Sequence, residues 1–101
     1  MLTLEEFETY LESGYNRIAC PTYVERNQVI EFLLSIGYEH GGSNVSRECL
    51  KGEHEGWWLY PQIAHGRIEF YGNRSEGHTI EFADIEHLIN AVPVTQVDDL
   101  L

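Results

Sequence analysis

Between Gly56 and Phe82 the chain reads Gly-Trp-Trp-Leu-Tyr-Pro-Gln-Ile-Ala, then His-Gly, then Arg-Ile-Glu-Phe-Tyr-Gly, and after a polar interval His-Thr-Ile-Glu-Phe. Runs rich in β-branched and aromatic residues, punctuated by glycine-containing turns, predict an antiparallel meander. Successive strand side chains alternate between faces. One side therefore carries Trp57, Leu59 and Ile63, joined by Ile68 with Phe70 and by Ile80 with Phe82. The other carries Trp58, Tyr60, Arg67, Glu69, Tyr71, Thr79 and Glu81. The first is a core face. The second, aromatic and acidic, is the first candidate for a working surface. Alternation leaves three fates open for it: partner binding, burial beneath helices, or self-pairing in a homodimer.

The rest of the chain supplies helices. Thr3-Leu-Glu-Glu6 fits a capping box, followed by Leu4, Phe7 and Leu11 at helical spacing and a stop at Ser13-Gly14. Glu5, Glu6, Glu8 and Glu12 belong to this helix, with no basic residue before Arg17. Early glutamates also suit the positive end of a helix dipole, which is their structural explanation. Tyr15 to Cys20 predicts a strand with Ile18 and Cys20 inward, broken by Pro21. Thr22-Tyr-Val-Glu25 is a second capping box. It opens a helix whose apolar stripe is Val29, Ile30, Leu33, Leu34 and Ile36, whose wet face is Glu25, Gln28, Glu31 and Ser35, and whose stop is Gly37.

From Glu39 to Glu55 the periodicity dissolves. Gly41-Gly42-Ser43-Asn44 has the composition of a flexible loop, and Val45 to Leu50 fits a short strand or a turn of helix equally. A connection of this length is often functional. His65-Gly66 and Gly72 to Gly77 are the meander's turns, and Ala83 to Asn90 is a short helix ended before Pro93. The order α-β-α-β-β-β-α predicts one α+β domain over 1–93, with an antiparallel sheet of about four strands and two to three helices packed on one face. Residues 94–101 form an acidic tail containing Asp98-Asp99.

Charge restricts the partners. Six Lys plus Arg stand against 17 Asp plus Glu, a net charge of −11 over 101 residues. Direct binding to nucleic acid is disfavoured, because phosphate contacts rely on Lys and Arg displacing counterions. A basic protein partner is favoured instead. A generally soluble acidic surface is the plainer explanation. No apolar run approaches a membrane span, and Met-Leu-Thr-Leu-Glu-Glu lacks the features of a signal peptide, so cytoplasmic residence without membrane contact is expected. Asn44-Val45-Ser46 matches a glycosylation acceptor that has no consequence there. Cys20 and Cys49 are expected as free thiols.

Catalytic constellations are weak. His40, Cys49 and His54 allow an imagined loop metal site, but neither Cys-x-x-Cys nor His-x-x-x-His occurs, so no metal and no cofactor are expected. Nothing local activates Cys20 or Cys49 toward His54, His65 or His78, and surrounding acids oppose a thiolate. Carboxylate pairs are always findable among so many acids, and phosphate-loop and nucleophile-elbow patterns are absent. The expectation is a protein that is not an enzyme and has no catalytic residue.

A short strand (Arg17-Ile-Ala-Cys) leads to Thr22-x-x-Glu25 and a helix ending Leu34-Ser-Ile-Gly-Tyr38. A glycine-rich loop, Trp57-Trp58-Leu-Tyr60-Pro and Thr79-Ile-Glu-Phe-x-Asp-Ile85 follow. In element order and style, Asn16 to Ile85 resembles small acidic proteins of bacteriophages and mobile elements, of the anti-CRISPR or anti-restriction kind. Several of those are DNA mimics. Small acidic immunity proteins and antitoxins, including barstar-like nuclease inhibitors, are similar in size and charge. No functional residue carries over.

The resemblance and the charge together imply an acidic inhibitor of a basic nucleic-acid-handling protein, such as a nuclease or CRISPR effector, its carboxylates imitating phosphates. Candidate partner-binding residues are Trp58, Tyr60, Glu69, Tyr71 and Glu81 on the sheet and Glu48, Glu53 and Glu55 in the loop, with Glu5, Glu8 and Glu12 of the first helix beside them. Alternatives are an immunity protein or antitoxin neutralising a basic toxin, a small ligand- or metal-binding domain using the 39–55 loop, and a structural homodimer.

Overall fold

A computed structural model describes residues 1–13, 16–42, 45–51, 60–70 and 79–91. Helix α1 (Leu4–Glu12) begins as its sequence predicts. The Thr3 hydroxyl accepts from the Glu6 N–H at 3.0 Å, and the Glu6 carboxylate accepts from the Thr3 N–H at 2.9 Å. Two of the N–H groups that every helix start leaves without an intrahelical partner are thereby satisfied. Phe7 and Leu11, one turn apart, are buried, and the Phe7 ring lies 5.8 Å from that of Phe32.

Strand β1 (Asn16–Ala19) leads into helix α2 (Tyr23–Ser35). The Thr22 hydroxyl accepts from the Val24 N–H and donates to the Glu25 carboxylate. That bond, with backbone N–H groups of Glu25 and Thr22, holds the Glu25 carboxyl below its usual range. At the other end Gly37, at φ 111°, forms a Schellman closure. Tyr38 N–H donates to Leu33 O at 3.0 Å and Gly37 N–H to Leu34 O at 3.2 Å. The buried stripe contains Val29, Ile30 and Leu33 as predicted, but also Phe32 and a fully buried Arg26, while Leu34 and Ile36 are only partly buried.

The closure delivers the chain to strand β2 (Glu39–His40), followed by helix α3 (Val45–Leu50). Strands β3 (Gln62–Ala64) and β4 (Arg67–Glu69) form a hairpin whose two turn residues, His65 and Gly66, have φ values of 56° and 76°. Positive φ at both central positions marks a type I′ turn, which matches strand twist and favours Gly at the second place. Strand β5 (Thr79–Glu81) runs into helix α4 (Phe82–Ala91).

The architecture is α+β, with a sheet of order β2-β4-β3-β1-β5 and four helices among the described residues. It corrects the expected antiparallel sheet of about four strands. Among the described residues β1 pairs parallel with β5 and β2 parallel with β4, while the β1–β3 and β3–β4 pairings are antiparallel. β3 thus runs against the other four strands. The predicted third strand of the meander does not continue past β4 but crosses to the far edge beside β1. Phe82, expected to end that strand, instead opens α4. Parallel neighbours require long crossovers, which are invisible to local periodicity.

The core forms on one face. Ile18 is in register with Ile80 and Ile63 with Ile68, and these four pack with Phe7, Leu11, Val29, Ile30, Leu33, Cys49 and Ile85 from the four helices. Four described helices, where two to three were expected, supply this face: the additional α3, with β2 before it, forms inside the 39–55 stretch where local periodicity was too short to declare it. The partition between faces is as the alternation predicts at Ile63, Ile68 and Ile80.

Gly41 departs from the flexible loop expected of it. It is buried, its N–H donates to Ile68 O at 2.9 Å, and a Cβ placed on it would lie 2.5 Å from that same carbonyl oxygen. Glycine here allows β2 to close against β4.

Candidate functional site

On the outer face, strand register assembles one row from four strands: Glu69, Gln62, Arg17 and Thr79. A second row holds Glu39, Arg67 and Ala64, and Glu81 lies beside Ala19. Arg17 Nη2 donates to Thr79 Oγ1 at 3.3 Å, and its guanidinium carbon sits 5.1 Å from the centroid of the Tyr60 ring. At that distance the ring's quadrupole attracts the cation. Tyr60 is 43% exposed and precedes the strand instead of lying in it.

Two features change the picture of an open acidic and aromatic sheet. Arg17 and Arg67 stand among Glu39, Glu69 and Glu81, so the described face is close to charge balance. Gln62, in the middle of its row, is 1% exposed, and neither amide atom has a hydrogen-bond partner. Of the other candidate residues, Glu48 is half-buried on α3, Glu69 half-buried beside Gly41, and Glu81 exposed at the β5 edge. Trp58, Tyr71, Glu53 and Glu55 lie outside the described residues, as do His54, His78, the 72–77 turn and the tail.

Negative charge concentrates instead on the two terminal helices. α1 contributes Glu5, Glu6, Glu8 and Glu12, and α4 contributes Asp84 and Glu86. Neither helix contains Lys or Arg. The segment before α1 ties them together. Leu2 N–H donates to Asp84 O at 3.0 Å, and Leu2 O lies 2.6 Å from His87 Nε2. Glu5 follows Leu2 by three positions, so one short segment carries the chain from the α4 backbone into the first turn of α1. Sequence reasoning named the α1 glutamates but missed their alliance with α4, since nothing local signals that residues 2 and 84 meet.

Arg26 sharpens the imbalance. As a fully buried residue it withdraws one of the chain's six Lys and Arg side chains from the surface. Its Nε donates to Asn27 Oδ1 at 3.1 Å, and its guanidinium carbon lies 5.9 Å from the Tyr23 ring centroid. Arg26 sits one turn before Val29 and Ile30 on the apolar stripe, a sequence signal that could have revealed it.

The cysteines are free and buried. Burial pushes the Cys20 thiol up to about 12, against the opposing Arg26 charge and with a smaller contribution from Glu25. Burial likewise raises Cys49, Arg26 again opposing and Glu48 adding. Desolvation, more than surrounding acidity, is what holds both as thiols. His40 Nδ1 lies 2.6 Å from the Ser46 hydroxyl, and burial, then Arg47, hold the imidazole below its ordinary range. Ser46 is itself buried, so this pair organises the β2–α3 corner and offers no accessible nucleophile. Among the described residues no group of three or more His, Cys, Asp or Glu side chains could hold a metal ion. Within those residues, too, no helix is long and apolar enough to cross a membrane.

A pocket of about 330 Å³ opens where the end of α1 meets Tyr38 and the β3–β4 turn, lined among the described residues by Leu11, Glu12, Tyr38, Ile63, Ala64, His65 and Gly66. Burial, then Glu8 and Glu12, raise the Tyr38 phenol above its usual range. Sequence reasoning named Tyr38 only as a helix boundary, and His65 as a turn residue and a weak candidate partner for a thiol, not as part of a pocket. No family model matches the chain, and comparison with curated proteins and with solved structures finds no match.

Proposed function

We propose that the protein is a non-enzymatic, stoichiometric inhibitor of a basic nucleic-acid-handling protein, acting in the cytoplasm of a bacterial host. The resemblance to anti-CRISPR and anti-restriction proteins of phages and mobile elements enters as part of this reading. The observation that carries it is the α1–α4 pair. Glu5, Glu6, Glu8, Glu12, Asp84 and Glu86 project from two helices that hold no Lys or Arg, and Leu2 links their starts. Glu81, exposed immediately before α4, extends the same sign of charge.

Carboxylates in such an array present negative charge and acceptor oxygens, as a phosphate backbone does to arginines and lysines. Attraction of this kind acts at long range and is screened beyond about 10 Å at 0.1 M salt and about 3 Å at 1 M. Tyr60, with Arg17 against its ring, would contribute packing at the sheet edge. The buried thiols and the inaccessible Ser46 favour a binding role over covalent chemistry.

The test is capture from host-type lysate by tagged protein, at low and at high salt, with mass-spectrometric identification. Recovery of a nuclease or CRISPR effector at low salt and its loss at high salt supports the reading. Recovery that is indifferent to salt rules out phosphate imitation.

A further inference from the structure

We infer that the pocket between the α1 C-terminus, Tyr38 and the β3–β4 turn receives an arginine side chain of the protein's partner. The inference rests on the inhibitor reading for the source of that side chain and on the pocket's chemistry for its identity.

The pocket is small, about 330 Å³, at the lower end of what small-molecule sites offer. That suits one extended side chain better than a cofactor. Leu11, Ile63 and Ala64 provide an apolar wall against which three methylenes can pack. Among the described residues, polar capacity comes from Glu12, Tyr38 and His65 beside the turn backbone. No Lys or Arg lines it among the described residues, so a cation entering meets no fixed positive competitor.

Glu12 is unfavourably placed for α1 itself. It sits in the last turn, where the helix dipole is negative, and that turn has no basic residue. A carboxylate there faces the negative end of the helix dipole, which a bound cation would relieve. Glu8 lies one turn earlier on the same face, and both carboxylates act on the Tyr38 phenol. The negative field of two glutamates and a helix end therefore converges on one apolar pocket. A guanidinium answers each part of this site: its fork matches a carboxylate, its plane stacks on an aromatic ring, and it loses less on desolvation than an ammonium.

The backbone that shapes the site is tightly specified. The Schellman closure at Gly37 places Tyr38, and Glu39 N–H donates to Gly66 O at 3.1 Å, locking β2 to the turn. His65 holds a left-handed φ of 56° that few side chains adopt, putting a ring-bearing residue where a type I′ turn would take Asn or Gly.

The experiment titrates the intact protein with N-butylguanidinium, n-butylammonium and N-butylurea, following amide chemical shifts. Saturable millimolar binding of the guanidinium, centred on Leu11, Glu12, Tyr38 and 63–66, with binding at least threefold weaker in Glu12→Gln, is the expected result. Equal binding of the urea overturns the cation assignment, and equal binding of the ammonium overturns arginine in favour of lysine. Absence of guanidinium shifts at these residues overturns the pocket. A urea melt of Glu12→Gln confirms that the variant is folded. Because no partner is present, a failed titration beside successful partner capture removes this assignment alone, and successful titration without any partner removes only the inhibitor reading.

Discussion

Replacing Gly41 with alanine isolates the contact that closes the β2 edge of the sheet. The added methyl would sit 2.5 Å from the Ile68 carbonyl oxygen, about 1 Å inside ordinary van der Waals separation. The Glu69 side chain, also in the way, can swing aside. The Ile68 carbonyl cannot, because it accepts the N–H of residue 41 itself at 2.9 Å. Relief must come from β2 moving off β4, against a core already packed on Ile68. Overpacking of this kind costs about 1–3 kcal/mol. A middle value of about 2 kcal/mol lowers the melting temperature of a domain this size by about 8–16 °C. Gly42→Ala is the internal control, since a Cβ there meets nothing within 4 Å. Thermal and urea melts followed by far-ultraviolet circular dichroism measure both. If Gly41→Ala melts within about 2 °C of the wild type, the close approach of β2 to β4 is wrong, and with it the placement of Tyr38 beside the pocket.

Other perturbations probe separate parts of the account. Thr3→Ala removes the hydroxyl that accepts from the Glu6 N–H, leaving only the Glu6 carboxylate on the residue 3 N–H, and is expected to cost about 1 kcal/mol in urea unfolding; a variant as stable as the wild type would mean the hydroxyl cap contributes nothing. Native protein at pH 8 should leave Cys20 and Cys49 unreacted with a disulfide reagent, whereas denatured protein reacts at both. Because burial lifts Cys20 from 9.0 to about 12, its contribution to stability is full below pH 9 and is lost as pH rises toward 12; rapid native labelling would contradict the burial. His40 is held below its ordinary 6.5, so its contribution is full above pH 6.5 and declines as pH falls through its lowered value. His40→Gln should flatten the fall in urea midpoint between pH 7 and pH 5, and an unchanged slope would assign that fall elsewhere.

Much of the local structure was legible because short-range chemistry writes it. Thr3 and Glu6, the Val29–Ile30–Leu33 stripe, Gly37 and the His65-Gly66 turn each act through neighbours a few residues away. The inward set Ile63, Ile68 and Ile80 followed from alternation, which reports a residue's face but not its neighbouring strand. That is why the parallel pairing of β5 with β1, across some sixty residues of chain, went unseen. Strand β2 has only two residues, too few to carry a period, and Gly41 reads as a loop until β4 is found beside it. Arg26 was hidden by its charge: an arginine on an apolar stripe looks like an interruption, although its helical phase is that of the core. The acidic candidates on α1 were visible, but their joining to α4 through Leu2 depends on a contact between residues 2 and 84.

The measurement closest to the central claim is competition. The purified basic partner, loaded with its nucleic acid, is titrated with this protein at several salt concentrations. The account predicts displacement of the nucleic acid at one equivalent, weakening steeply with salt, and weakening further when Glu5, Glu8 and Glu12 are replaced by Gln. A stable ternary complex that keeps its nucleic acid, or displacement untouched by those three substitutions, would contradict it.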